Sequence, residues 1–275
     1  MEPIAILAAI CFAILSSASA FDILYREIPD AHGWAIGTVG IIRNLIELKE
    51  MTGILMLFGS SLLFLDVMCD LGSKGVRMVP YRILTASMII VGSLLILDRP
   101  GSVMMISVPA MILIFLAMYR MGILQGGADA KCLISLSLLF PMFPVINPMI
   151  IITEGSPLMF AFPLSVLLLA SAFTLASAIP QAVSNIMKRD YEGLRTLTMI
   201  RMDIERARSS HVWPRQDIVN GEAVIVKNTG PEAYDRMESC GYSRIWVSPM
   251  IPFIVPITAA FAFLIIIGNP LSLIV

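Results

Sequence analysis

The chain has 275 residues, of which 57% are hydrophobic and only 14% are charged, and its mean hydropathy is +0.86. So few charged side chains cannot cover a soluble globule of this size, and the composition therefore predicts an all-α, polytopic membrane protein embedded in a lipid bilayer. The formal net charge of −1 gives no indication of a nucleic-acid partner.

The first apolar run is followed by Ala18-Ser19-Ala20, which is typical of a signal-peptide cleavage site. The residues before the run, Met1-Glu2-Pro3, contain no Lys or Arg, whereas Arg26 follows it. Because cytoplasmic flanks are rich in Lys and Arg, this asymmetry favours a retained first span. We expect the N-terminus to lie outside and Arg26 to lie in the cytoplasm.

Hydropathy predicts eight membrane spans, each near the roughly 20 residues that cross the hydrocarbon of a bilayer. The second span is the weakest because Arg43, Asn44 and Glu47 interrupt it, and a re-entrant or interfacial helix is an alternative there. The predicted spans are 3–21, 33–48, 53–69, 83–97, 102–119, 132–152, 156–180 and 249–268.

The distribution of basic residues favours all eight spans. Without the second span, Asp22 and Asp129 would lie on opposite faces of the membrane, and several basic residues would lie outside. With it, the basic residues inside are Arg26, Lys74, Arg77, Arg82, Arg120, Lys131 and those between 181 and 247, against Lys49 and Arg99 outside.

Nearly half of the charged residues fall between 181 and 247. We therefore divide the chain into a transmembrane core (1–180), a cytoplasmic loop or small domain (181–247) and a C-terminal transmembrane segment (248–275). Within the polar part, Ile186 to Ala207 has apolar residues at roughly helical spacing, and Glu222 to Lys227 has the composition of a short strand. This part is either a solvated connection or a surface that recognises substrate.

The cysteines do not suggest a metal site or a disulfide framework. There is no Cys-x-x-Cys pair, and the two histidines are far apart in sequence. We therefore expect no metal and no cofactor, and we interpret all four cysteines as packing residues: Cys11, Cys69, Cys132 and Cys240.

Asp22 lies at the end of the first predicted span. A carboxylate at the centre of a membrane helix costs roughly 3 kcal/mol or more, so an aspartate at the edge of a span is a candidate functional residue. Arg26 follows one helical turn later, and Ile28-Pro29 predicts the end of the helix because proline disfavours helical geometry in the preceding residue. The alternative is a simple surface ion pair between Asp22 and Arg26.

Asp129 lies where the sixth span begins. Gly126 and Gly127 permit backbone conformations that larger residues resist, so Asp129 is expected to enter its helix from a pliable loop. The helix dipole favours negative charge at such an N-terminus. Lys131 is either an interfacial anchor or a counter-charge for the two aspartates.

These two motifs resemble a known family. Asp-x-x-x-Arg-x-Ile-Pro-Asp from Asp22, followed by Gly-Gly-Ala-Asp-Ala-Lys, is similar to the archaeal type IV prepilin peptidases, including the preflagellin (prearchaellin) peptidases of the GxGD class. The segment 244–253 is also similar to archaeal members. The chain departs from the family pattern at Ala128, which replaces the second motif glycine, and at Phe21, which replaces a residue that is often polar. The resemblance implies that Asp22 and Asp129 are the catalytic pair, with supporting motif residues Arg26, Ile28, Pro29, Gly126, Gly127, Ala128 and Lys131.

The resemblance also implies a reaction. The expected activity is removal of a short basic leader, a class III signal peptide, from a prepilin or prearchaellin precursor at the cytoplasmic face. Some bacterial relatives also methylate the product and carry a four-cysteine zinc element. Since this chain has no such cluster, we expect a peptidase without methyltransferase activity.

Three other functions are compatible with parts of the sequence. A presenilin-like intramembrane protease would use the same two-aspartate chemistry, but the Ile-Pro-Asp tail and the lack of Pro-Ala-Leu near the last span count against it. A proton- or ion-coupled transporter predicts charges near mid-span, whereas Asp66 lies near the end of span three, one turn from Asp70. A purely structural scaffold gives the glycine-rich loop no purpose.

Overall fold

The structure is a computed structural model of the chain. It describes residues 3–47, 51–71, 79–98, 102–124, 126–144, 161–188, 190, 193, 198–226 and 229–268. Lys49, Lys74, Arg77 and Arg99, which enter the predicted charge asymmetry, lie outside these residues. The chain forms two compact units, one of Met1–Ser171 with Pro252–Val275 and the other of Ala172–Ile251.

The structure is mostly helical, with a small sheet region. The longer helices are α1 (Pro3–Tyr25), α2 (Ala31–Glu47), α3 (Met51–Met68), α4 (Val79–Ile96), α5 (Ser102–Arg120), α6 (Gly127–Leu139), α7 (Phe162–Met187) and α10 (Ile254–Ile267). The remaining elements are β1 (Ile200–Asp203), α8 (Ile204–Ser209), β2 (Val212–Pro214), β3 (Gln216–Val219), β4 (Glu222–Ile225), α9 (Glu232–Ser239) and β5 (Arg244–Pro249).

Each of the eight predicted spans overlaps one of the longer helices, but the prediction of eight spans is not confirmed. Among the described residues, only α1, α4, α5 and α7 are both long and apolar enough to cross a membrane. The apolar parts of α3 and α10 are shorter, at Gly53–Met68 and Ile254–Ile267. The mostly helical structure and its four candidate spans are consistent with a helical membrane protein.

The sixth predicted span, 132–152, is wrong in its bounds. The helix begins earlier, at Gly127, and ends at Leu139. Phe140 comes directly after the last helical residue, Pro141 follows Phe140, and Pro144 lies three residues after Pro141. Proline lacks the amide hydrogen that a helix needs and disfavours helical geometry before it, so the helix stops there. Residues 145–152 lie outside the described part.

The polar residues that weaken the second span hold α6. Asn44 Nδ2 donates to the Leu138 carbonyl at 2.7 Å, and Arg43 Nη1 donates to the Leu139 carbonyl at 2.6 Å. Arg43 also forms an ion pair with Glu47 at 2.9 Å. The last carbonyls of a helix have no partner within the helix, so these donors from α2 satisfy the end of α6.

Unit Ala172–Ile251 contains a three-stranded antiparallel sheet in the order β1-β5-β2 and a β3-β4 hairpin. Strand β1 overturns part of the helical expectation for Ile186 to Ala207. Its alternate residues Ile200 and Met202 face the core, in the two-residue period of a strand. Strand β4 lies inside the segment predicted as a strand. The buried core consists of Ile204, Ala207, Val212, Tyr234, Met237, Ile245 and Val247.

Asp217 connects the hairpin of this unit to α9. Arg236 donates two hydrogen bonds to its carboxylate, from Nε at 2.8 Å and Nη2 at 2.6 Å, and Thr229 donates a third at 3.0 Å. The pKa of Asp217 is lowered to about 2, chiefly by the Arg236 hydrogen bonds. The ionised carboxylate therefore stabilises this unit.

Two of the four cysteines are not packing residues. Cys11 and Cys132 are buried, as expected, but Cys69 and Cys240 are exposed. The last two follow the ends of α3 and α9, where the chain turns. All four thiols are free.

Candidate functional site

Asp22 lies in the last turn of α1 and is buried, with 8% of its surface exposed. Its Oδ2 accepts a hydrogen bond from the backbone N–H of Ile254 at 3.3 Å. Ile254 is the first residue of α10, whose initial N–H groups have no partner within the helix. The carboxylate therefore caps α10, and the helix dipole favours its negative charge.

A second polar contact joins the same two helices one turn away from Asp22. The hydroxyl groups of Ser19 and Thr258 lie 2.8 Å apart, and Thr258 Oγ1 lies 3.2 Å from the Leu15 carbonyl oxygen. Ser19 Oγ also lies 3.4 Å from the Ile254 carbonyl oxygen. These buried contacts fix α10 against α1, so that Ile254 can reach Asp22.

Helix α1 ends at an unusual residue. Arg26 donates its backbone N–H to the Asp22 carbonyl at 3.2 Å and has φ +56°. The left-handed conformation costs a non-glycine residue about 1–2 kcal/mol, and such strain is common at functional sites. The left-handed conformation of Arg26 turns the chain toward Ile28 and Pro29, and α2 begins at Ala31.

The Arg26 side chain does not form a surface ion pair with Asp22, which is the alternative interpretation of this motif. Its Nε and Nη1 are buried, and no described residue accepts a hydrogen bond from them. The guanidinium charge nevertheless lies close enough to attract the Asp22 carboxylate. A cation with free donors next to a buried carboxylate is a feature of binding and catalytic sites rather than of exposed helix surfaces.

Asp129 lies in the first turn of α6, and its position explains why Gly126 precedes the helix. A Cβ atom added to Gly126 would lie 2.1 Å from Asp129 Oδ2, which is far inside contact distance. Only glycine therefore leaves room for the carboxylate in this position. Gly127 is less constrained, since its added Cβ would meet the Tyr119 hydroxyl at 3.3 Å.

The two aspartates come from elements more than a hundred residues apart, and their charges interact. The negative charge of Asp22 acts directly on the carboxyl group of Asp129. In general, two carboxyl groups that lie close together do not both ionise freely, and such a pair readily retains one proton. This is the electrostatic arrangement on which two-aspartate proteases depend.

A small cavity of about 20 Å³ is lined by residues of both motifs, although neither Asp22 nor Asp129 lines it. Its lining includes Ile28 and Pro29 from the first motif, Ala128 from the second, and Ile254, which hydrogen-bonds Asp22. A cavity of this volume has room for about one water molecule. Ala128, at the third position of the second motif, thus faces this cavity.

Lys131 pairs with Asp30 rather than with Asp22 or Asp129. Its Nζ lies 2.8 Å from Asp30 Oδ1, in an ion pair between the loop after α1 and the start of α6. His32, which the sequence did not identify, also lines the cavity. The only sequence signal for it is its position two residues after the Ile28-Pro29-Asp30 motif.

No group of three or more metal-binding side chains occurs among the described residues. No family model matches the chain, and no curated protein matches it.

Proposed function

We propose that the chain is a membrane aspartic endopeptidase that removes the short basic leader from prepilin- or prearchaellin-type precursors, without methyltransferase activity. The observation that carries the proposal is the pairing of Asp22 and Asp129. They lie at the ends of two helices, the charge of Asp22 acts on Asp129, and residues of both motifs line a small cavity.

The chemistry follows from a pair that shares one proton. The ionised aspartate accepts a proton from water as the water oxygen attacks the scissile carbonyl carbon. The protonated aspartate polarises the carbonyl and then gives its proton to the leaving amine nitrogen as the C–N bond breaks. Each turnover consumes one water and returns the pair to its starting charge.

Membrane topology belongs to the same proposal. Eight helices enter the bilayer, the N-terminus lies outside, and both aspartates face the cytoplasm. A site at the membrane edge matches a scissile bond between a polar leader and an apolar helix. The carboxylates at the ends of α1 and α6, rather than at mid-helix, support this placement.

The test is processing by purified protein in detergent, with a prepilin-like substrate and the variants Asp22→Asn and Asp129→Asn. The parent is expected to release the leader, and each variant is expected to lose activity by about 10⁴-fold or more, as for removal of a triad member. Asp203→Asn is the matched control, since Asp203 is 71% exposed in the other unit. Full activity in either site variant excludes that aspartate from catalysis.

Mass spectrometry of the products separates the alternatives. A cut between leader and apolar helix supports the proposal, whereas a cut within the apolar helix supports a presenilin-like protease. Adding a methyl donor must leave the mass of the new N-terminus unchanged. If several precursors remain uncut by the parent, the protease proposal is wrong.

A further inference from the structure

The segments that carry the two aspartates are joined through the first turn of α2. On one side, Lys131 Nζ contacts Asp30 Oδ1 at 2.8 Å, between residues 101 positions apart. Lys131 lies in the same region of α6 as Asp129, and Asp30 directly precedes α2. Since the Lys131 side chain is only 20% exposed, the ion pair is partly shielded from water.

On the other side, His32 connects the first turn of α2 to α1. Its Nδ1 lies 3.1 Å from the Pro29 carbonyl oxygen, and its Nε2 lies 3.2 Å from Ser17 Oγ. A ring nitrogen next to a carbonyl must carry the hydrogen, so neutral His32 donates to Pro29 and accepts from the Ser17 hydroxyl. The ring also packs edge-on against Phe21, with 5.4 Å between centroids. Phe21 is the residue before Asp22.

A third contact holds α2 and α6 together one turn below the ion pair. The Ser135 hydroxyl lies 2.9 Å from the Gly33 carbonyl oxygen and 2.7 Å from that of Lys131. The start of α2 is thus fixed to α1 by His32 and to α6 by Asp30 and Ser135. These contacts join Phe21, the chain neighbour of Asp22, to Lys131, which lies two residues after Asp129.

This arrangement has more influence on geometry than on stability. A half-exposed ion pair adds little to folding, because water screens the charges and the side chains lose freedom. In contrast, a displacement of about 1 Å between catalytic groups costs about 10²-fold in rate. An ion pair in this position therefore affects the spacing of the aspartates far more than the folding of the chain.

We propose that Asp30, Lys131 and His32 are positioning residues that set the distance between Asp22 and Asp129. This inference rests on the proposed protease function for its kinetic consequence only. The distance between Asp22 and Asp129 does not depend on that function, and labelling of Cys132 tests the positioning role separately.

Charge exchange tests the ion pair. Asp30→Lys and Lys131→Asp are each expected to lower kcat by at least tenfold, with KM changed less than twofold and the unfolding temperature unchanged within a few degrees. The double exchange restores the pair in reverse and is expected to recover at least a third of parental kcat. Asp235→Lys is the matched control, because it breaks an exposed 2.5 Å contact with Arg208 in the other unit. Lys131→Arg, which keeps the charge, is expected to stay close to the parent.

Cys132 supplies a readout that needs no activity. It is 7% exposed and lines the same cavity as Asp30 and Lys131. In a background with Cys11→Ala, Cys69→Ser and Cys240→Ser, a small methanethiosulfonate reagent reports access to this one thiol. Each single charge variant is expected to accelerate labelling at least tenfold, and the double exchange to return it to the slow parental rate.

The two readouts separate the possible failures. If the parent cuts no precursor but Cys132 labelling follows the ion pair, the protease proposal fails and the positioning role stands. If the parent cuts its substrate while neither kcat nor labelling responds to the single variants, the positioning role is wrong. The positioning role is also wrong if the double exchange recovers neither kcat nor the slow labelling rate. Asp30→Asn is a further control, because it removes the ion pair without reversing the charge and so distinguishes loss of the pair from misfolding.

Discussion

Gly40→Ala is expected to destabilise the protein, because at Gly40 α2 lies close against the backbone of α6. An added Cβ would lie 2.6 Å from the carbonyl carbon of Leu138 and 2.6 Å from the nitrogen of Leu139. Ordinary contact begins at about 3.4 Å, so the helices must separate by roughly 0.8 Å. Backbone atoms cannot rotate away as the end of a side chain can.

The expected loss of stability follows from the contacts that are disturbed when α2 and α6 separate. Overpacking a filled site costs about 1–3 kcal/mol. Separation also lengthens the hydrogen bonds from Arg43 and Asn44 to α6, each of which is worth about 1 kcal/mol. Alanine recovers up to about 1 kcal/mol through its higher helix propensity. These effects overlap, and we expect a net loss of about 2 kcal/mol.

Thermal unfolding in detergent measures this loss. At about 2–4 °C per kcal/mol, the midpoint of Gly40→Ala should fall by roughly 4–8 °C. Gly33→Ala is the matched control on the same helix, since its Cβ meets the movable end of Met68 at 3.0 Å and Ser135 Oγ at 3.4 Å. Its midpoint should stay within about 2 °C of the parent. Equal midpoints for the two variants would refute the close approach of α2 to α6.

Three further predictions concern other parts of the molecule. Gly126→Ala should lower processing by about 10²-fold without unfolding the protein, because its Cβ would occupy the place of the Asp129 carboxylate. The check is an unchanged midpoint of thermal unfolding together with the lowered processing rate. Thr258→Val removes the hydroxyl that joins α10 to α1, so it should lower the free energy of unfolding by about 0.6 kcal/mol and should also lower kcat. Thr258→Ser keeps a hydroxyl and should retain the parental stability and kcat. An unchanged kcat in the valine variant would contradict this prediction. Because the folded pKa of Asp217 is lowered to about 2, its stabilisation is complete above its ordinary pKa of 3.8 and is lost as pH falls toward 2. The free energy of unfolding should therefore be about 1 kcal/mol higher for the parent than for Asp217→Asn at pH 6, after allowance for solvent screening. This difference should vanish near pH 2. A difference that stays constant with pH would exclude the Asp217 carboxylate as its source.

The local features of the site could be predicted from the sequence. Ile28-Pro29 predicts the end of α1 and Gly126-Gly127 predicts the start of α6, because proline and glycine act on the backbone within one or two residues. Asp22 accordingly lies in the last turn of one helix and Asp129 in the first turn of another. The eight apolar stretches likewise mark the positions of helices.

The contacts around the aspartates could not be predicted in this way. Ile254 is 232 residues from Asp22, and Lys131 is 101 residues from Asp30. Such pairs form only after the helices have packed, and no periodicity within either segment indicates its partner. The same limit applies to β1, whose four residues are too few to outweigh a helical pattern in the surrounding segment.

Two departures from the sequence prediction have one physical cause. Helix α6 has 13 residues and is about 20 Å long, which is shorter than the roughly 30 Å of bilayer hydrocarbon. Its final carbonyl groups therefore end inside the protein, where an unsatisfied backbone group is costly. Arg43 and Asn44 satisfy them, and these are the same residues that reduce the apolar character of α2. The short α6 thus requires a polar α2, and together they fix the end of α6 opposite to Asp129.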